Sequence, residues 1–319
     1  MNLLIVGQES QEFRQVLEPK FPEISIHAAM DERAADEYID RADILIAIRI
    51  SDGLLAKAVR LKWIHSMISG IDFFEKLPSF QRRDDILLTS TRGIHGPQMS
   101  ELAIMLMIAL SRGFPQMIQN QEQKIWERWP PKLNWKKTVG ILGVGVVGSS
   151  IAHKCKAFDM TVLGVGPTPR PVAAVDRFYG LACLHQVMAD VDYFICVAPS
   201  TPTNNRILDA EGFARMKPTA FFINLGRGEL VDEAALIQVL RERRIAGAAL
   251  DTFQVEPLPP EHPFWSLDNV IIAPHVGGMS DIYVGQASGI IEENLRRFLD
   301  GQRDGLLNVV RRGAKHGRD

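Results

Sequence analysis

Short, almost unbroken apolar runs alternate with longer helical patterns along nearly the whole chain, and this alternation constrains the fold most. A first series comprises "NLLIV", "ISIHA", "DILIAI", "WIHSM" and "ILLT"; a strongly helical stretch, "QMSELAIMLMIALSRGF", follows it. A second series then runs "TVGIL", "MTVLGV", "YFICVA", "AFFIN", "GAAL" and "NVIIAP". Runs apolar at every position, not every second one, predict strands buried on both faces, as in parallel sheets covered by helices. Two successive series predict an α/β protein of two doubly wound domains with a cleft between them. A length of 319 residues is enough for both cores.

The second series opens on a glycine fingerprint. "GVGVVG", Gly143 to Gly148, directly follows "TVGIL" and precedes the helical stretch "SSIAHKCKAF". Gly143 permits the tight turn, Gly145 lets a pyrophosphate approach the backbone, and Gly148 lets the helix pack on the strand. With Val146 and Val147, these residues open a helix whose free N–H groups and positive dipole suit phosphates. In this strand–loop–helix setting the fingerprint predicts a dinucleotide site.

The acidic residue that would grip an adenosine ribose should stand about twenty positions on, at the end of "MTVLGV". The chain instead has Gly166, then Pro167, Thr168, Pro169 and Arg170. Without a carboxylate there, nothing repels a 2′-phosphate. Thr168 can donate a hydrogen bond and Arg170 offers a guanidinium fork. The expectation is NADP in preference to NAD.

Three further stretches lie just past strands of the second series, the edge where open α/β sheets hold ligands. "INLGRGELVDE" carries Arg227, "ALDTFQVEP" carries Asp251 and Glu256, and "NVIIAPHVGG" carries His275. With "GVGVVG", "MKPTAFFINLGRGELVDEAAL", "GAALDTFQVEPLP" and "DNVIIAPH", in that order and spacing, the chain resembles the D-isomer-specific 2-hydroxyacid dehydrogenases over nearly its whole length. The resemblance implies a Rossmann dinucleotide-binding domain over 99–281. A flavodoxin-like substrate domain over 1–98 would be completed by 282–319, through a last helix near 281–299. It also implies reduction of small 2-keto acids such as glyoxylate or hydroxypyruvate, or oxidation of D-2-hydroxy acids, by a homodimer with the helix near Ser100 in its interface.

Arg227, Glu256 and His275 match the family's catalytic residues, and the chemistry fits them. Hydride transfer to a keto carbon leaves negative charge on oxygen. His275 would protonate that oxygen, or take the hydroxyl proton in reverse. Glu256 would orient the ring and favour its protonated state. Arg227 would polarise the carbonyl and bind the substrate carboxylate. By the resemblance, Asp251 hydrogen-bonds the nicotinamide carboxamide, and Pro199 and Ser200 contact the cofactor. Backbone N–H groups at Ser69, Gly70 and Ile71 bind the substrate carboxylate, and Arg49 adds a second cation for substrates with a distal acid. The chain departs from the family pattern at Asn204, where threonine is usual, and at Thr252, where valine is common.

His65 and His95 read as structural histidines, and Trp126, Trp129 and Trp135 as packing around Pro130 and Pro131. The net charge of −2 gives no attraction to nucleic acid or an anionic membrane. "LAIMLMIAL" is too short to span a bilayer. The basic ending "RRGAKHGRD" reads as a frayed terminus. Three scattered cysteines without metal-site spacing, and an N-terminus without a basic n-region, lead us to expect a cytoplasmic protein without a metal. Two alternatives stay open: a nicotinamide-dependent corepressor or sensor on the same fold, and a dehydrogenase of another small anion such as phosphite. Formate is disfavoured, because the formate enzymes place glutamine where Glu256 stands.

Overall fold

The computed structural model describes residues 1–311, so the basic ending lies, apart from Arg311, outside the described residues. Among the described residues thirteen strands occur, in chain order: β1 (Asn2–Val6), β2 (Ser25–Ala29), β3 (Ile44–Ala47), β4 (Trp63–Ser66), β5 (Leu87–Ser90), β6 (Thr138–Leu142), β7 (Thr161–Gly166), β8 (Arg177–Gly180), β9 (Tyr193–Cys196), β10 (Phe221–Asn224), β11 (Gly247–Leu250), β12 (Val270–Ile272) and β13 (Val309–Arg311). They fall into two compact units, one of Met1–Ile94 with the chain from Ser280 onward, the other His95–Met279.

The first unit holds one sheet in the order β13-β5-β4-β3-β1-β2, parallel except for β13, which runs antiparallel to β5. Without β13 this is the flavodoxin-like order. Its strands feed two cores at period two. Leu3 and Ile5 enter one cluster with Phe13, Trp63 and the helix Tyr283–Leu299; Leu4 and Val6 enter the other with Leu54, Phe74 and Phe80. β13 is absent from the apolar pattern because its three residues are only partly buried or exposed. Asn294 places it, with its side chain hydrogen-bonded to both the N–H and the carbonyl of Leu307.

The second unit is a parallel sheet in the order β12-β11-β10-β9-β6-β7-β8. Six strands were expected; β8 is a seventh, a half-buried edge strand after the proline-rich loop. Strand order reverses between β6 and β9, the switch point where such sheets open a crevice at their carboxyl ends. Val139 and Ile141 face the helix Gly96–Arg112, whereas Leu142, Phe194 and Phe222 face the opposite core. Among the described residues, no single helix is long and apolar enough to cross a membrane.

The tryptophans differ from the packing expectation in two cases, Trp126 and Trp135, the latter 55% exposed. Trp129 lies against Gly113, and the Trp135 indole N–H donates to Asp159 at 2.9 Å. Trp126 stands 89% exposed, in a segment, 121–128, whose every residue is exposed.

His65 is wholly buried on β4, with Nδ1 2.7 Å from the Thr89 hydroxyl, which also accepts the Trp63 indole N–H at 2.8 Å. Its Nε2 has no hydrogen-bond partner. Burial therefore pushes its pKa down to about 3. The unfolded chain, with an ordinary histidine near 6.5, binds the proton that the folded chain refuses. Stability should fall as pH drops below about 6.5, by about 1.4 kcal/mol per pH unit until about 3. His65→Asn keeps a polar partner for Thr89 but does not titrate; urea unfolding across this range should show that slope removed.

Candidate functional site

The loop after β6 has the shape expected of a phosphate cradle. Gly143 turns with φ +97°, and a Cβ there would lie 2.6 Å from the Ala198 nitrogen after β9. A Cβ on Gly148 would fall 2.3 Å from the Gly143 carbonyl, so only glycine lets the helix Val146–Lys156 start this close to the strand. Gly145 differs: a Cβ there would meet nothing within 4 Å, and its backbone borders open space at the helix N-terminus. No side chain caps that terminus. An open, uncapped N-terminus with its positive dipole end outward fits the pyrophosphate of a dinucleotide.

Beyond β7, Gly166 is occluded by an aromatic ring. A Cβ at Gly166 would touch Phe178 Cζ at 3.2 Å, so Phe178 of β8 fills the space an acidic side chain would use. The Arg170 guanidinium lies 5.4 Å over that ring and donates to the Val144 carbonyl at 2.7 Å. The cation is therefore tethered to the glycine loop itself. Thr168 is exposed on the same loop.

After β9, Pro199 is exposed and the Ser200 hydroxyl donates to Glu229 Oε2 at 2.7 Å. Asn204 explains its own departure from the family pattern. Its amide donates to the Pro199 carbonyl and its oxygen accepts the Thr201 N–H, closing the loop from within.

The expected acid–base groups, Arg227, Glu256 and His275, lie on loops after β10, β11 and β12. Asn224, at the end of β10 and 1% exposed, clasps the turn that carries Arg227. Its oxygen accepts the Gly226 N–H, and its amide donates to the Arg227 carbonyl at 3.2 Å and the Thr252 carbonyl at 3.5 Å. The Arg227 turn thus lies against the chain leaving β11; the half-buried guanidinium also donates to the Gly226 carbonyl. Glu256 accepts the Phe253 N–H through Oε1 at 3.0 Å, and its Oε2 stands 2.7 Å from His275 Nδ1. Hydrogen bonds through Asn224 therefore link the backbone of the Arg227 turn to the segment that carries Glu256, and Glu256 contacts His275 directly.

Asp251 sits at the base of this arrangement. It is 1% exposed, and its two oxygens accept the N–H groups of Val276 and Gly277 at 2.8 and 3.0 Å. Burial raises its pKa, and the two backbone donors oppose that rise only in part. His275 itself has a left-handed backbone, φ +54°. That conformation costs roughly 1–2 kcal/mol for a residue with a Cβ. Two hydrogen bonds to a carboxylate, each worth about 1.5–3 kcal/mol, offset it. Gln98 donates to the next carbonyl, Gly278, at 3.3 Å. Beside it lies His95, whose pKa burial lowers to about 4.

Nothing in the linear pattern marked Asn224, Gln98 or Glu229 as parts of this site. A polar residue ending an apolar run, as in "AFFIN", is the one available signal, and it is weak. The remaining sequence candidates belong to the first unit. Arg49 follows β3, is exposed and lies 5.8 Å over the Phe73 ring. Ser69, Gly70 and Ile71 form the loop after β4, with Ser69 exposed.

Residues 104–277 match the family described as D-isomer specific 2-hydroxyacid dehydrogenase, NAD binding domain. The chain is 32% identical to the glyoxylate reductase/hydroxypyruvate reductase of Mus musculus, over 84% of this chain and 87% of that protein. It is 28% identical over 95% of its length to the D-3-phosphoglycerate dehydrogenase of Methanocaldococcus jannaschii, but spans only 58% of that protein. The NADPH-dependent glyoxylate/hydroxypyruvate reductase of Sinorhizobium meliloti, solved with NADP and sulfate, superposes with a TM-score of 0.82 at 27% identity, covering 99% of this chain and 100% of that one.

The Gly148 contact supplies a direct check. Gly148→Ala must displace the helix from the Gly143 carbonyl, so dinucleotide affinity, followed by reduced-cofactor fluorescence, should fall at least tenfold, about 1.4 kcal/mol. The far-ultraviolet dichroism should stay that of the parent.

Proposed function

The chain belongs to the D-isomer-specific 2-hydroxyacid dehydrogenase family, and we propose that it reduces a small 2-keto acid of the glyoxylate or hydroxypyruvate type with NADPH. The observation that carries this reading is the 2.7 Å contact between His275 Nδ1 and Glu256 Oε2. It commits Nδ1 to the carboxylate and leaves Nε2 as the atom that exchanges a proton with substrate.

A dinucleotide with its pyrophosphate on the Gly143–Gly148 loop would supply the hydride from its nicotinamide. The rest of the chemistry belongs to side chains. His275 gives its Nε2 proton to the oxygen that becomes the hydroxyl, while Glu256 keeps the ring oriented and balances the imidazolium. Arg227 stays charged throughout, so it stabilises the developing oxyanion and pairs with the substrate carboxylate by a fork. In the same reading the Ser69–Ile71 loop binds that carboxylate and Arg49 selects among substrates. Pro199 and Ser200 take the cofactor-side roles that the family resemblance gives them, whereas both Asp251 oxygens already accept backbone N–H groups, of Val276 and Gly277.

The NADP preference rests on Gly166, which has no acidic side chain and is crowded by Phe178, and on Arg170 beside the glycine loop. The NADPH-dependent Sinorhizobium relative supports it. We also infer a homodimer, with apolar side chains such as Met105, Ile108, Phe114 and Ile118 on the outer face of two successive helices as its interface. Sedimentation of the purified protein tests that state; a monomer at micromolar concentration refutes it.

Steady-state assays over a 2-keto acid panel, each with both reduced cofactors, test the reaction. Oxidation of NADPH by glyoxylate or hydroxypyruvate is expected, and no turnover with any member of the panel would overturn the reading. His275→Ala should lower kcat by about two to four orders of magnitude while cofactor still binds. Arg227→Ala should damage both kcat and KM. Arg170→Ala should weaken NADPH much more than NADH; equal losses would remove the argument for NADP.

A further inference from the structure

We propose that Asp251 is a positioning residue for His275: its buried carboxylate holds the left-handed turn from which the imidazole reaches Glu256. This rests on the reading of His275 as the proton donor, and adds a residue that acts through it. The carboxylate lies at the end of β11, while His275 follows β12, the neighbouring strand. Its Oδ1 accepts the Val276 N–H at 2.8 Å and its Oδ2 the Gly277 N–H at 3.0 Å. These are the first two peptide N–H groups after His275, so they fix the peptide plane on its C-terminal side.

The direction of the His275 Cα–Cβ bond depends on that hold. With φ at +54°, the ring stands 2.7 Å from a carboxylate that the Phe253 N–H already pins. Glu256 therefore has little freedom to follow if the turn relaxes to the ordinary right-handed or extended backbone. The far side of the turn is closed as well. A Cβ on Gly277 would lie 2.7 Å from Asp251 Oδ2 and 2.8 Å from Met99 Sδ, and Gln98 holds the Gly278 carbonyl. Two acceptor oxygens are needed. Asparagine offers one, and turns an amide N–H toward a backbone N–H.

The test uses the full chain with NADPH and the best substrate from the panel. Asp251→Asn removes the second acceptor, and Gly277→Ala pushes the carboxylate away from the opposite side, so it stands in if the first variant does not fold. For each, kcat, NADPH dissociation constant and the downfield proton resonance of the His275 Nδ1–H are measured, the last assigned by its loss in His275→Ala. Both variants should lose kcat by about a hundredfold, lose or broaden that resonance, and bind NADPH nearly as the parent does. The double variant should be no worse than either single change, because both break one device. NADPH affinity falling in step with kcat would overturn the proposal and make Asp251 a cofactor contact. An unchanged resonance would overturn it too. The resonance is read without substrate, so a parent inactive on every keto acid would sink the proposed reaction and leave the positioning role still measurable.

Discussion

The 2.7 Å contact between His275 and Glu256 can exist only because two loops from neighbouring regions of one sheet are each fixed by buried backbone hydrogen bonds. Glu256 is anchored three residues back, on the Phe253 N–H. His275 is anchored forward, through the two N–H groups that Asp251 accepts. Asn224 ties the Arg227 turn to the same stretch of chain. The side chains proposed to carry the chemistry are thus half-exposed, whereas Asp251 and Asn224, which hold the turns that bear them, are among the most buried polar groups of the unit. A rigid buried frame under a solvent-reaching site is what pre-organised acid–base work requires.

That frame is itself a product of the parallel sheet. Each strand divides its residues between two cores, so the strands are fixed from above and below and their carboxyl ends have little freedom. The crevice at the switch point then receives loops from β6, β9, β10, β11 and β12 on one edge. The glycine loop shows the same economy of space: at Gly143 and Gly148 backbone occupies the volume a side chain would need, and at Gly145 the volume is left open.

The cofactor side shows why a missing residue needs a structural explanation. Gly166 removes the carboxylate expected of an NAD site, but the sequence alone does not say what replaces it. Phe178, on a strand that the apolar pattern did not reveal, packs where that side chain would stand and carries the Arg170 guanidinium over its face. Arg170 is held at the loop by the Val144 carbonyl. The arginine's placement depends on a ring eight residues further along the chain (Arg170 to Phe178).

Alternating apolar runs and helical patterns determined the α/β class, two sheets and the position of nearly every strand, because burial on both faces forces that composition into any such strand. Motif spacing likewise named Arg227, Glu256, His275 and the glycine loop, since each stands directly after a strand whose end must face the crevice. Tertiary structure alone decided which side chains aim them. Asp251 and Gln98 bond backbone far away in sequence, and Asn224 bonds both its own turn and Thr252; such individual bonds impose no period on the chain. β8 and β13 escaped for a related reason: short, half-buried edge strands are held by neighbours on one side and by individual contacts, so they need no apolar run to exist.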